Sequence, residues 1–213
     1  MLEKLVPGRY LRFPSIHQAA RAHNAVFPSH FVEGAGAVLN IGESESEGPL
    51  ATGRQISAIG TGAHGSRSHR TFRWLPYVPG KVTYLPLAGP DMLTGKMTGC
   101  WITIFEHRGC RYAAHIGTEE NAGTPNSKQA RKAWRDAEQS GVIRLVAGFN
   151  PVSLDMPKAV AEQGSKAKEF FAALDPGGNF FTVVFGTTTD ATLRKIYAVH
   201  RMPPKNAVRF LGE

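Results

Sequence analysis

The chain has 213 residues, and 42% of them are hydrophobic, which is enough apolar material for a packed core. Its 25 lysine and arginine residues outnumber 17 acidic residues, and the resulting net charge of +8 favours acidic partners. No apolar run approaches the length of a membrane span, and no P-loop, Gly-x-Gly-x-x-Gly motif or Gly-x-Ser-x-Gly elbow occurs to indicate a phosphate-dependent enzyme or a serine hydrolase. We expect a single domain over residues 1–213, with 1–34 as an N-terminal extension packed on it or tethered to it.

The first part of the chain is predicted to contain one short helix followed by strands. Residues 15–25 predict the helix, with Ser15 as its cap. Alternating apolar segments between Gly, Ser and Pro clusters then predict strands over 37–41, 54–59, 71–74 and 81–85. These strands form half of a predicted sheet or sandwich.

A β-hairpin is predicted next, with strands over 101–105 and 111–115 and Arg108-Gly109 at its turn. If these two residues alone form the loop, His115 lies opposite Ile102 and is a diagonal neighbour of Cys100, roughly 7–8 Å away at Cα. A four-residue loop would place Cys100 directly opposite His115, at about 4.5–5.5 Å. A three-residue loop would place the two side chains on opposite faces unless a bulge intervenes. The loop length therefore decides whether the thiol and the imidazole can meet.

The second part of the chain mixes helices and strands. Thr124 and Pro125 predict the start of a helix that continues to about residue 139, where Gly141 ends it. A buried strand is predicted over 142–149, helices over 157–163 and 166–174 with Phe170 and Phe171 turned inward, and strands over 180–185, 193–199 and 207–211. Because helices and strands do not alternate strictly, we predict an α+β domain, a mostly antiparallel β-sandwich flanked by three to five helices.

Cys100 and His115 are the strongest candidates for catalytic residues. A free thiol is mostly protonated at neutral pH, and a neighbouring imidazolium would lower its pKa and supply a nucleophilic thiolate. The same histidine could protonate a leaving amine and then activate water. Thr98 and Gly99 are candidates for an oxyanion-binding backbone, because glycine lets amide N–H groups turn toward a developing charge. The alternative is a small buried cysteine, a hydrogen-bonded strand histidine and an ordinary turn.

The segment Met97-Thr98-Gly99-Cys100, followed by His115 after one strand–turn–strand, resembles the active-site signature of the Cys–His glutamine deamidases. Three groups share that signature: the catalytic domain of the cytotoxic necrotizing factors, the Burkholderia lethal factor and the chemoreceptor glutamine deamidases. In the toxin members the motif reads Leu-Ser-Gly-Cys, and several members have a threonine six residues before the cysteine, which is Thr94 here. The resemblance covers residues 94–115 and implies a deamidase-toxin-like fold.

The resemblance implies that Cys100 attacks a glutamine carboxamide, that His115 activates it and that Thr94 orients the imidazole. The expected activity is protein glutamine deamidation, or transglutamination if an amine replaces water, and it needs no cofactor and no metal. The expected partner is a target protein with an acidic surface, with no membrane or nucleic acid involved and the enzyme acting as a monomer. We expect a bacterial toxin or effector, secreted by a leaderless route and active in the target-cell cytosol; the chemoreceptor group predicts the bacterial cytoplasm instead.

Two other classes of function remain open. A cysteine peptidase would use the same dyad in an open cleft, whereas a non-catalytic basic binding module would need neither Cys100 nor His115. The other cysteine, Cys110, is predicted on the opposite hairpin face, so we expect no disulfide and a reducing compartment.

Other polar residues are assigned structural roles. His64 and His69 lack a nearby carboxylate or thiol to complete a metal site. His200 is an alternative partner for Cys100, but it is assigned as a polar position at the end of a strand. A basic stripe on the helix that follows the hairpin is predicted to be a solvated face with Trp134 turned inward, although the same residues could bind phosphate. The stripe consists of Lys128, Arg131, Lys132 and Arg135.

Overall fold

The computed structural model describes residues 5, 7–8, 10–12, 27–36, 38–40, 42–44, 71–152, 168–188 and 193–210. These ranges contain thirteen strands and one helix. In chain order they are β1 (Tyr10–Arg12), β2 (Phe31–Glu33), β3 (Val38–Asn40), β4 (Gly42–Ser44), β5 (Thr71–Trp74), β6 (Val82–Pro86), β7 (Met92–Met97), β8 (Trp101–His107), β9 (Cys110–Ile116), α1 (Pro125–Gln139), β10 (Arg144–Phe149), β11 (Lys168–Leu174), β12 (Phe180–Thr187) and β13 (Leu193–Met202).

The strands form two sheets. The larger has the order β3-β5-β7-β11-β12-β13-β1-β4, and the smaller has the order β10-β8-β9-β6-β2. Both are mixed, since most neighbours run antiparallel while β5 and β7 in one sheet and β2 and β6 in the other run parallel. The protein is therefore mostly β, and the described residues contain one helix where the predicted α+β sandwich has three to five outer helices.

The predicted helix over 166–174 is wrong for residues 168–174, which form strand β11. Its residues pair on one side with β7 and on the other with β12. Ala172 and Leu174 face one core while Phe171 and Ala173 face another, which is the two-residue period of a strand buried on both faces. Lys, Glu, Ala and Leu favour helices, but the pairing of both edges decides the conformation here.

Several other predicted elements match the structure more closely. The strand over 71–74 is β5, and those predicted over 37–41, 81–85, 142–149, 180–185 and 193–199 contain or overlap β3, β6, β10, β12 and β13. The predicted strand over 207–211 is wrong for 207–210, where Phe210 packs into a core cluster instead of pairing with a strand. The predicted elements over 15–25, 54–59 and 157–163 lie outside the described residues.

The apolar side chains form layers. Between the two sheets lies a cluster that we call the inter-sheet core, which includes Leu85, Met92, Cys100, Ile102 and Phe180. The opposite face of the smaller sheet packs against α1, and the opposite face of the larger sheet has its own apolar cluster. Residues of the hairpin β8–β9 therefore face either the second sheet or the helix, in alternation.

Helix α1 begins as predicted. The Thr124 side chain accepts a hydrogen bond from the Ser127 N–H, and Pro125 occupies the first turn. Trp134 is fully buried against the rings of Phe31 and Phe105, so its predicted inward orientation is confirmed. Within the described ranges, no helix has the length and hydropathy needed to span a lipid bilayer.

Candidate Cys–His site

The hairpin has the two-residue loop, so the first of the three predicted registers is the one observed. His107 pairs with Cys110, and Ile102 pairs with His115. Arg108 and Gly109 have φ values of 50° and 77°, as expected for the two central residues of a type I′ turn. Cys100 lies two residues before Ile102 and shares the inter-sheet core with it, which makes Cys100 the diagonal neighbour of His115.

Cys100 and His115 are both deeply buried, with exposed fractions of 1% and 0%. Cys110, at the turn end of the same hairpin, is exposed. Both cysteines are free thiols, in agreement with the predicted absence of a disulfide. The candidate nucleophile and the second cysteine thus occupy opposite environments within one hairpin.

Thr94 meets His115 from the other sheet. It lies on β7, and its Oγ1 is 2.7 Å from the Nδ1 of His115 in a buried hydrogen bond. When the neutral ring carries its proton on Nδ1, that N–H donates to the threonine hydroxyl and a lone pair is left on Nε2. This is the tautomer that a general base needs. Nε2 is buried, and no group in the described part of the chain forms a hydrogen bond with it.

The thiol of Cys100 is held by a backbone carbonyl. Its Sγ donates to the carbonyl oxygen of Thr118 at 2.9 Å. Burial raises the pKa of Cys100 to about 11, and burial lowers the pKa of His115 to about 3. Both groups are therefore neutral near pH 7, and the expectation of a thiol pKa lowered by an imidazolium is wrong for this closed arrangement. Ionisation of the sulfur near pH 7 would therefore have to accompany transfer of its proton to a base.

Groups around the sulfur act in the opposite direction. The Thr118 hydroxyl and the backbones of Thr98, Thr118 and Cys100 act to lower the thiol pKa, although burial has the larger effect. The predicted oxyanion segment at Thr98 and Gly99 thus lies beside the sulfur, and Gly99 has a φ of 146° that side-chain-bearing residues rarely adopt.

Tyr77 forms another wall of the site. Its ring centroid is 5.2 Å from that of His115, with 42° between the ring planes. Burial, followed by the charges of Cys100 and Glu119, raises the pKa of Tyr77 to about 12. The Thr83 hydroxyl donates to the carbonyl of Pro76, which fixes the segment that presents Tyr77. The neutral phenol therefore covers the imidazole.

Sequence reasoning missed three residues of this site: Tyr77, Thr118 and Asn150. Thr118 follows β9 by two residues, and the neighbouring Gly117 lies so close to the carbonyl of Val78 that an added Cβ would be 2.2 Å from it. Asn150 directly follows β10, the strand that pairs with β8. For Thr118 and Asn150, the only signal in the sequence was their expected proximity to the predicted hairpin.

The remaining candidates are not brought to this site. His200 lies on β13, which β11 and β12 separate from the strand that holds Thr94. His64 and His69 lie outside the described residues, and no group of three or more metal-ligating side chains forms within those residues. No protein-family model matches this chain, and comparisons with curated proteins and with solved structures found no significant match.

Proposed function

We propose that the protein is a Cys–His hydrolase that deamidates a glutamine side chain of a target protein. The observation that carries this proposal is the state of His115, whose Nδ1 is fixed by Thr94 and whose buried Nε2 has no hydrogen-bond partner in the described residues. A buried polar atom without a partner costs free energy, and a role in accepting a proton from a bound group would account for that cost. Nε2 belongs to the ring whose diagonal neighbour on the hairpin is Cys100.

In the proposed reaction Nε2 of His115 accepts a proton twice, first from the thiol and then from water. The thiol proton of Cys100 moves to Nε2 of His115 as the sulfur attacks the carboxamide carbon, and the carbonyl oxygen becomes an oxyanion. The imidazolium returns the proton to the leaving nitrogen, ammonia departs and a thioester remains. Water then gives a proton to Nε2, attacks the thioester and leaves a glutamate side chain while the thiol is regenerated. An amine in place of water would give transglutamination.

The depth of the thiol favours a side-chain carboxamide over a backbone amide. Cys100 and His115 are almost inaccessible, and Tyr77 packs on the imidazole. A glutamine extends its carboxamide on a slender methylene stem, whereas a peptidase must admit an extended backbone. The deamidase is therefore preferred to the cysteine peptidase.

The choice of target follows from charge and from resemblance. A net charge of +8 draws the protein toward acidic surfaces and raises the rate of encounter with them. The likeness of residues 94–115 to the toxin deamidases supports an effector with a deamidase-toxin-like fold that acts in a reducing cytosol. Its two free thiols are compatible with that compartment.

Comparative peptide mass spectrometry tests the proposal. Cells would express the wild type, Cys100→Ser or the matched control Cys110→Ser, which changes the other cysteine of the same hairpin. We expect glutamine-to-glutamate conversion at a specific site with the wild type and the control, and its loss with Cys100→Ser. New peptide termini that depend on Cys100 would instead identify a peptidase. Identical peptide sets from the wild type and both variants would rule out a hydrolase that depends on Cys100.

A further inference from the structure

Asn150 is a buried residue whose side-chain amide forms hydrogen bonds through both its oxygen and its nitrogen. It is 9% exposed and follows the end of β10, where Phe149 pairs with Ile102. Its Oδ1 accepts a hydrogen bond from the Val152 N–H at 2.9 Å, and its Nδ2 donates to the Gly99 carbonyl oxygen at 3.3 Å. Because one partner is a donor and the other an acceptor, the two contacts also fix which end of the amide is oxygen and which is nitrogen.

The contact with the Gly99 carbonyl fixes the next N–H along the chain. In a planar trans peptide the C=O and N–H groups point in opposite directions, so holding the oxygen of Gly99 also holds the N–H of Cys100. Gly99 adopts a φ of 146°, and an added Cβ there would meet nothing within 4 Å. The glycine therefore permits this orientation of the peptide through its backbone freedom, and Asn150 selects it.

The peptide fixed in this way borders the reactive sulfur. The Cys100 N–H belongs to the residue that bears the thiol, and a backbone N–H is the kind of donor that stabilises an oxyanion. When the sulfur attacks a carbonyl, the new oxyanion forms one bond away from the attacked carbon. A donor already directed at the site needs no reorganisation as that charge develops.

We propose that Asn150 is a positioning residue for the oxyanion donor of this site, acting through the Gly99–Cys100 peptide. The inference rests on the proposed function, since it assigns Asn150 a part in the attack of Cys100 on an acyl group. Asn150 touches neither the thiol nor the imidazole in this assignment. It fixes the direction of one backbone N–H group.

Two small reagents separate this role from a general loss of thiol reactivity. p-Nitrophenyl acetate acylates a thiol through an oxyanion and releases nitrophenolate, whereas iodoacetamide is attacked at its methylene carbon and releases iodide with no oxyanion formed. Both reactions need the ionised thiol, so the ratio of the two rate constants cancels any change in the fraction of the thiol that is ionised. The Cys110→Ser protein, in which Cys100 is the one thiol, is the reference in which Asn150→Asp and Asn150→Ala are measured.

Asn150→Asp keeps the acceptor for Val152 but turns an oxygen toward the Gly99 carbonyl, and Asn150→Ala removes both contacts. We expect the acylation-to-alkylation ratio to fall about tenfold or more in both variants, since loss of one oxyanion donor costs roughly 10²–10³-fold. Gly99→Ala should lower the same ratio, because it disturbs the same peptide without touching Asn150. Thr94→Val should lower both rate constants together and leave the ratio unchanged.

The outcomes distinguish the two proposals. An unchanged ratio in the Asn150 variants, with Cys100 acylated in the reference protein, would overturn the role of Asn150 and leave the hydrolase intact. A reference protein that is alkylated but never acylated at Cys100 would overturn both. If an Asn150 variant fails to fold, an unchanged ratio in Gly99→Ala would overturn the assignment of the peptide on its own.

Discussion

His115 depends on one hydroxyl for its orientation. Replacing Thr94 with valine keeps the side-chain volume but leaves Nδ1 of His115 without its partner at 2.7 Å. We expect the variant to lose about 1–3 kcal/mol of stability, the usual cost of an unsatisfied buried polar group. Deamidation should fall at least roughly tenfold, because general acid–base catalysis contributes about 10²–10⁴-fold in total.

The control for this prediction is Thr94→Ser, which retains the hydroxyl. Urea unfolding would measure the stability of each variant, and ammonia release would measure the activity. Serine should restore most of the rate. If valine and serine behave alike, the methyl group of Thr94 rather than its hydroxyl is what the site requires.

The burial of Cys100 and His115 in their neutral forms predicts a specific dependence of stability on pH. Burial lowers the pKa of His115 from 6.5 to about 3, so below pH 6.5 the unfolded chain binds a proton that the folded chain does not. Burial raises the pKa of Cys100 from 9.0 to about 11, so above pH 9.0 the unfolded chain releases a proton that the folded chain keeps. The free energy of unfolding should therefore decrease as the pH drops below 6.5 or rises above 9.0, by up to roughly 1.4 kcal/mol per pH unit for each group.

Urea midpoints measured from about pH 5 to about pH 10 check this window. In Cys100→Ser the decline on the alkaline side should become shallower while the acidic side is unchanged. His115→Asn should flatten the acidic side instead. Identical curves for the wild type and both variants would show that neither group is buried in the folded protein.

The residues of the site differ in how far the sequence could predict them. Cys100 and His115 belong to one hairpin, so local spacing and side-chain alternation were enough to relate them. Thr94 came from resemblance alone, because its contact with His115 joins two sheets whose stacking no local pattern reports. Thr118 and Asn150 depend on loop paths and on the pairing of β10 with β8, and these are set by tertiary packing.

At the scale of elements, the hairpin turn sets the phase of the site. Arg108 has a φ of 50°, which asparagine accommodates better than arginine in a type I′ turn. We expect Arg108→Asn to stabilise the protein by several tenths of a kcal/mol, and Arg108→Val to destabilise it by about 1–2 kcal/mol because a β-branched residue resists positive φ. Urea midpoints give both values. A stabilising valine would show that this turn does not persist in solution.

Helix and strand predictions differ in accuracy for a physical reason. Helix α1 has a cap, a first-turn proline and a terminating glycine within its own sequence, so its limits were predictable. β11 has no such signals, because its strand conformation comes from hydrogen bonds to β7 and β12. The wrong helix prediction therefore arose where apolar residues occur in a run and the partner strands lie far away in sequence.

At the scale of the whole molecule, the layered packing should give the two cysteines very different reactivities. Cys100 lies in the core between the sheets with a pKa raised to about 11, and Cys110 is exposed. With Ellman's reagent near pH 7.5, we expect the thiol of the Cys110→Ser protein to react at least about a hundredfold more slowly than that of Cys100→Ser. In urea the two rates should converge. Comparable rates in the native proteins would mean that the sheets open readily.

The fold as a whole was predicted only in outline. Many short apolar segments between turn residues predicted two sheets that face each other. The observed strand pairs are mostly antiparallel. The parallel pairs β2–β6 and β5–β7 were not predictable, since each joins strands that are separated by long or intervening segments. Strand order in a mixed sheet depends on which apolar faces pack together. The alternation of side chains along a strand does not determine that order.

The hydrogen bond between Thr94 and His115 crosses from one sheet to the other. Under the proposed function, stacking of the layers and orientation of the general base are consequently a single event. If the proposed effector is exported as an unfolded chain, it travels without an oriented imidazole and acquires activity only when the two sheets pack together.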